Sequence, residues 1–284
     1  MTTLSRYRGC MLGLAIGDAY GAAYEFQHRD SIQMIDDYQY CEVHDIEAGF
    51  YTDDASQTLC LAASILECGT FDEHDFAQRL VRWFREGYMS SVDGTCFDIG
   101  HQTRMSLEYY ESYGEFMDTD HVSMQGNGSL MRIGAIAMAF RGDELSIYAA
   151  ESSRVTHAAQ GCIDLCVQYA QLVRLALDGA TREEIQQCAN FHLDRSLEEL
   201  RGTGYVVHAY QVALHSFFST DSYFDCIRMA VSVGDDTDTN ACIAGMLAGA
   251  YYGAESIDLH LIEGLADAEL FISVTDQLYQ FSQI

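Results

Sequence analysis

The chain has 284 residues, 49% of them hydrophobic, which is ample for a sizeable core. Its formal net charge of −28, from 43 acidic and 15 basic residues, excludes a general nucleic-acid surface, because a phosphate backbone would be repelled over most of it. Every basic residue is Arg, so lysine-nucleophile and Schiff-base chemistry are unavailable, and no proline occurs where average usage of about 5% would give roughly fourteen.

No run approaches 18 consecutive apolar residues, and MTTLSRYRG lacks the charged-then-apolar layout of a secretory leader. A soluble, cytoplasmic protein with no membrane partner is expected. The ten cysteines contain no C-x-x-C pair and no zinc-like Cys/His spacing. Cys162 and Cys166, four apart on an expected helix, read as small buried thiols, and reduced thiols suit that compartment.

Helical periodicity dominates, starting with a helix expected over residues 7–15. The segment DDASQTLCLAASILECG opens at Asp53, sets Ala55, Leu59, Ala62 and Leu66 on one face, and stops at Cys68-Gly69. TFDEHDFAQRLVRWFREG begins with Thr70 and Glu73 in the N-cap and N3 places of a capping box and ends at Gly87. TREEIQQCANFHL repeats that device with Thr181 and Glu184. Further helices are expected over 99–110, 129–140, 145–153, 157–177, 206–218, 222–231 and 266–281. Alternating β-branched runs are scarce, so the fold class is all-α. Without a linker, repeat or low-complexity tract, residues 1–284 read as a single domain.

Two helix starts carry unusual charge. VSVGDDTDTNACIAGMLAGAYYG, residues 231–253, places Asp235, Asp236 and Asp238 ahead of a small-residue run. Gly245 and Gly249 within that run each cost about 1 kcal/mol against alanine, which predicts a close backbone contact and a buried central helix. Capping and the helix dipole account for one acid at such an end, not for three. An EF-hand starting at Asp236 fails, because Ala241 and Leu247 stand where its Gly and Glu belong. YTDDASQTL repeats the layout with Thr52, Asp53 and Asp54, for which capping is the plain alternative. If the two ends meet, hard oxygen ligands from both surround a pair of Mg2+ or Mn2+ ions. In MQGNGSLMRIGAIAM, Gly126 and Gly128 flank Asn127 before Ser129, which reads as a turn or as an anion site at a helix start.

These segments together resemble the ADP-ribosylglycohydrolases, and within them those like dinitrogenase reductase-activating glycohydrolase. GCMLGLAIGDAYGAAYEF, YTDDASQTLCLA, TCFDIGHQTRMSL, GNGSLMRIGAIAM, RVTHAAQGC, GTGYVVHAYQVAL and GDDTDTNACIAGMLAGAYYG follow in the family's order. The resemblance implies an all-α fold around a cleft holding two divalent cations, with Thr52, Asp53 and Asp54 as ligands from one helix and Asp236, Asp238 and Thr239 from another. It implies Asp98 as base or proton shuttle, Glu25 as a second carboxylate, Asn127, Gly128, Ser129 and His157 as ADP-ribose contacts, and Tyr205 as a cleft-lining residue. Asp18 is expected to hold a helix end near the cleft rather than touch substrate. Glu25 has a surface position as its alternative, and His157 and Tyr205 have core positions. The aromatic run over 109–116 either lines an adenine site or packs in the core.

The implied activity is metal-dependent cleavage of the bond between ADP-ribose and a modified protein side chain, with arginine favoured. Serine-type O-linked ADP-ribose and a non-catalytic ADP-ribose binder are the alternatives. The implied partners are an ADP-ribosylated protein and free ADP-ribose, with the chain acting as a monomer. One departure stands out: Asp235 occupies the second Gly of the family's Gly-Gly-Asp-x-Asp-Thr, and a side chain there strains a backbone suited to glycine. His208 likewise follows GYVV where the family has Asp.

Overall fold

A computed structural model of the protein describes residues 1–118, 121–189 and 196–283. The α-helices among them are α1 Thr3–Gly21, α2 Asp53–Cys68, α3 Glu73–Glu86, α4 His101–Tyr113, α5 Gly134–Ala139, α6 Gly142–Arg154 and α7 Gln160–Asp178. They continue as α8 Arg182–Ala189, α9 Val206–Ser219, α10 Tyr223–Val231, α11 Thr237–Tyr252, α12 Leu259–Gly264 and α13 Ala268–Phe281. Extended pairing among the described residues is confined to two single bridges, Cys41 with Ile46 and Gly126 with Tyr205. The all-α expectation therefore holds.

The seam between α1 and α11 sets the architecture. On α1, Gly9, Gly13, Gly17 and Gly21 recur every fourth residue and form one stripe down the helix. A Cβ placed on Gly249 would stand 1.9 Å from the Gly9 carbonyl oxygen, one on Gly13 2.4 Å from that of Gly245, and one on Gly17 2.2 Å from that of Ala241. The two backbones touch, as Gly245 and Gly249 predicted, and they run antiparallel. The end of α1, with Asp18 and the Glu25 segment beyond it, is thereby brought to the start of α11, with Asp236 and Asp238. Helices α7, α9 and α10 cover the rest of α11. One large apolar cluster takes residues from Tyr7 on α1 to Leu278 on α13. A second, small one joins Ala22, Cys41 and Ile46 to Phe50, Val92 and Phe97 beside the loop preceding α2.

Several expected boundaries move for identifiable reasons. Helix α1 runs well beyond 7–15 because the Thr2 side chain caps it, accepting from the Ser5 N–H at 3.2 Å, and no breaker intervenes before Ala22. The Thr70/Glu73 capping box does not form; Asp72 is the N-cap of α3 and accepts from the Asp75 N–H at 2.8 Å. The Thr181/Glu184 box does form, with Thr181 N–H donating to Glu184 at 2.7 Å and Glu184 N–H to Thr181 Oγ1 at 3.2 Å. The last part of that expected helix, residues 190–193, lies outside the described residues. The helix expected over 129–140 is cut to α5, because residues 128–133 form hydrogen-bonded turns instead. The one expected from His157 starts only at Gln160.

Candidate metal centre and substrate cleft

The N-terminus of α2 is capped from outside its own sequence. Asp18 Oδ1 accepts from the Thr52 N–H and hydroxyl, both at 2.8 Å, and its Oδ2 accepts from the Ala55 N–H at 2.9 Å. Asp18 therefore holds a helix end, as expected. The residues in the N-cap places of α2 and α11, Thr52 and Asp236, make no side-chain cap bond themselves. Capping thus does not explain the acids, and the two helix starts converge. Thr52 Oγ1 lies 3.2 Å from Asp54 Oδ2 and 3.4 Å from Asp238 Oδ2, while Thr239 Oγ1 lies 3.3 Å from the same Asp54 oxygen.

Two groups of carboxylates are compact enough to share a cation: Asp18, Asp54 and Asp238, and Glu25, Asp236 and Asp238, each with ligand atoms within 4.8 Å of one another. Asp238 belongs to both. Asp54 Oδ1 and Asp238 Oδ1 are buried without a hydrogen-bond partner, a costly state for a charged oxygen unless a cation meets it. Burial first, then the neighbouring carboxylates, push Asp53, Asp54 and Asp98 well above the usual carboxylate range. Burial likewise lifts Asp18 and Asp238 to about 7 and Glu25 to about 8. An all-oxygen set with two orphaned carboxylate oxygens fits hard divalent cations, whose charge reverses those shifts.

Above this floor opens a cleft of about 320 Å3. Glu25, Phe26, Asp53, Asp98, Asp236 and Thr239 line its acidic side, and Gly126, Asn127, Gly128, Met131 and His157 are also among its walls. Asn127 Nδ2 donates to Asp236 Oδ2 at 2.7 Å, tying the two sides together. His157 is buried with its Nδ1 2.8 Å from Thr156 Oγ1, and burial, then the Arg132 charge, lower its pKa to about 3, so the ring is neutral. Gly128 is needed against that ring, since a Cβ there would come 2.9 Å from His157 Cε1. Arg132 backs the whole arrangement from the core. It donates to Gln57 Oε1 at 2.6 Å, Gly128 O at 3.0 Å and Thr156 Oγ1 at 2.7 Å, and Gln57 Nε2 in turn donates to Asp53 Oδ2 at 2.7 Å.

Residues 1–283 match the family described as ADP-ribosylglycohydrolase. The chain belongs to the ADP-ribosylglycohydrolase family. It is 36% identical to ADP-ribosylarginine hydrolase Tri1 of Pseudomonas putida (strain GB-1), over 97% of this chain and 78% of that one. It is 30% identical to the ADP-ribosyl-[dinitrogen reductase] glycohydrolase of Rhodospirillum rubrum, over 89% of this chain and 87% of that one. The expected leaning toward the nitrogenase-regulating type is therefore corrected: similarity to the Tri1 hydrolase is the higher. A solved structure described as an ADP-ribosylglycohydrolase-related protein complex superposes with a TM-score of 0.87 at 32% identity, covering 99% of both chains.

Within this ADP-ribosylglycohydrolase, the expected site residues fall into three sets. Glu25, Asp53, Asp98, Asn127, Gly128, His157, Asp236 and Thr239 line the cleft, whereas Thr52, Asp54 and Asp238 are buried in contact with these residues and are not among its lining. Ser129 and Tyr205 do not line it. The Ser129 hydroxyl accepts in the core from Ser153 Oγ at 2.9 Å, and Tyr205 is 37% exposed, edge-on to His208, while its neighbour Gly204 forms the wall. Of the two readings of Gly126–Ser129, a turn or a helix-start anion site, the structure forms the turn. Leu130 and Met131 both donate their N–H groups to Asn127 O, and α5 begins only at Gly134. None of the residues 109–116 lines the cleft; Tyr110 stacks on Phe116 at 5.3 Å instead.

The sequence reading missed Phe26, Gln57, Arg132 and His44. Phe26 is 67% exposed at the cleft in a left-handed conformation, φ +59°, and donates its N–H to Asp235 O at 2.7 Å. His44 Nε2 lies 2.5 Å from Glu25 Oε2 and 3.5 Å from Asp98 Oδ1, and burial lowers its pKa. Nothing in CEVHDI, an aperiodic stretch between helices, marks that histidine in sequence.

Proposed function

We propose that the protein is a divalent-metal-dependent hydrolase that releases ADP-ribose from arginine side chains of modified proteins. The observation that carries this reading is the convergence of two helix starts on Asp54 and Asp238, each with an orphaned buried oxygen, beneath a cleft of the size of a small ligand. The relatives named as ADP-ribosylarginine hydrolases support the choice of linkage. Every carboxylate of the site comes from this one chain, so a monomer suffices.

Asp54 and Asp238, with Asp18, Glu25, Asp236, Thr52 and Thr239 around them, would hold two Mg2+ or Mn2+ ions. Bound there, the cations supply Lewis acidity to the ribose hydroxyls and to an attacking water. Asp53, held by Gln57 and Arg132, lies outside the two compact groups and adds its carboxylate from the cleft wall. With that charge compensated, Asp98 is ionised and takes the water's proton as the oxygen bonds to the anomeric carbon. The bond to the guanidine nitrogen breaks and its electron pair takes up the proton that Asp98 received, so that unmodified arginine leaves and the carboxylate is regenerated. Asn127, Gly128 and neutral His157 form a wall suited to ADP-ribose without adding charge.

Peptides carrying ADP-ribosyl-arginine or ADP-ribosyl-serine, incubated with and without Mg2+ or Mn2+, test the reading. Release from the arginine peptide only with metal is expected. No release from either peptide overturns the hydrolase reading, and release from serine alone overturns the linkage.

A further inference from the structure

We propose that His44 is a positioning residue for Glu25 and Asp98, an assignment whose effect on turnover rests on the hydrolase reading. Its Nε2 stands 2.5 Å from Glu25 Oε2 and 3.5 Å from Asp98 Oδ1, so one ring nitrogen gathers carboxylates from two separate loops. Glu25 and Asp98 both line the cleft. His44 is not among the lining residues and reaches the cleft through them. Both acids stand among other carboxylates, since Asp53 and Asp236 line the same cleft. Without the His44 ring between them, like charge on the two acids favours their separation.

The fold builds a support for this ring. Cys41 and Ile46 exchange backbone hydrogen bonds of 3.0 and 3.2 Å, closing a turn whose Asp45 has φ +57°. Cys41 Sγ donates to Ala22 O at 3.1 Å, and Phe97 sits 5.9 Å from the His44 ring centroid. The small apolar cluster of Ala22, Cys41 and Ile46, with Phe97 packed on it, joins the three segments that bear Glu25, His44 and Asp98. Ala22 lies one turn before Glu25, and Phe97 directly precedes Asp98. Glu25, His44 and Asp98 also lie within 4.8 Å of one another, close enough to share a cation, and the Mn2+ stoichiometry of a His44 variant separates a ligand from a partner of the acids.

The test compares wild type with His44→Ala and with His44→Gln, which keeps an N–H donor. Three quantities are measured: kcat and KM on the ADP-ribosyl-arginine peptide, ADP-ribose affinity, and Mn2+ stoichiometry by calorimetry. In His44→Ala, kcat is expected to fall about 10- to 100-fold, as for other residues that orient a catalytic group, with ADP-ribose affinity and Mn2+ stoichiometry kept. His44→Gln or added imidazole is expected to restore part of the loss. A kcat within about twofold of wild type in both variants overturns the assignment. So does a loss of one Mn2+ equivalent, which would make His44 a ligand, or a matching loss of ADP-ribose affinity. Imidazole 15N shifts give a readout free of turnover. The His44 signal is expected to move in Glu25→Gln and in Asp98→Asn, and an unmoved signal in both overturns the contact. Wild type inactive on the arginine peptide would instead count against the hydrolase reading, leaving the shift measurement to decide the role of His44.

Discussion

Asp235 shows how one side chain can sit against the local design. Its φ of +65° lies in the region that favours glycine, and its backbone is fixed by paired bonds, accepting from Phe26 N–H at 2.7 Å and donating to Gln27 O at 3.0 Å. The departure from the family's glycine was legible in the sequence, and the backbone strain follows from it. Asp235→Gly is expected to relieve about 1 kcal/mol and to raise the thermal midpoint while leaving kcat unchanged. An unchanged or lower midpoint in a melting series contradicts this. Other residue-scale details were not legible. Ser129 and Tyr205 sit in the right motifs, but the motif does not say which way a side chain turns: Ser129 is held in the core by Ser153, 24 positions on, and Tyr205 lies edge-on to His208. His44 is the same problem in reverse, a residue without a motif that the turn from Cys41 to Ile46 delivers to the acids.

At the scale of elements, the glycine stripe of α1 does the positioning. Interior glycines in α11 signalled a close backbone contact, and the fourfold spacing on α1 supplies the other half. Helix existence and type were readable almost throughout, because periodicity and caps are local. Boundaries were less so: Asp72 displaced Thr70 as N-cap, and turns replaced the first part of the helix expected from Ser129. Gly17 directly precedes Asp18 and lies one turn before Gly21, which packs on the start of α11, and a Cβ on Gly17 would stand 2.2 Å from Ala241 O and 2.6 Å from its carbonyl carbon. Gly17→Ala is accordingly expected to cost about 3 kcal/mol in urea unfolding, the upper range for overpacking, and to weaken metal binding through displacement of Asp18. A cost below about 1 kcal/mol would mean that the seam opens freely.

Across the whole molecule, the buried acids make stability depend on metal and pH. Asp18 and Asp238, with ordinary values of 3.8, titrate at about 7 in the metal-free fold, and Glu25, ordinarily 4.5, at about 8. Raised folded-state values mean that the folded chain binds these protons more tightly than the unfolded chain. The stability they contribute is complete below about pH 4 and drains away as pH rises through about 7 to 8. In EDTA the thermal midpoint is therefore expected to fall between pH 5 and 8, and saturating Mn2+ to remove most of that fall. The acidic clusters themselves were readable as two charged helix starts, whereas their meeting depended on packing over nearly two hundred positions of separation. The most direct measurement is calorimetric titration of Mn2+ into metal-stripped protein and into Asp238→Ala, the residue shared by both carboxylate groups. Two equivalents in wild type and none bound tightly in the variant are predicted; no saturable uptake, or equal stoichiometry in the two proteins, would contradict the metal centre.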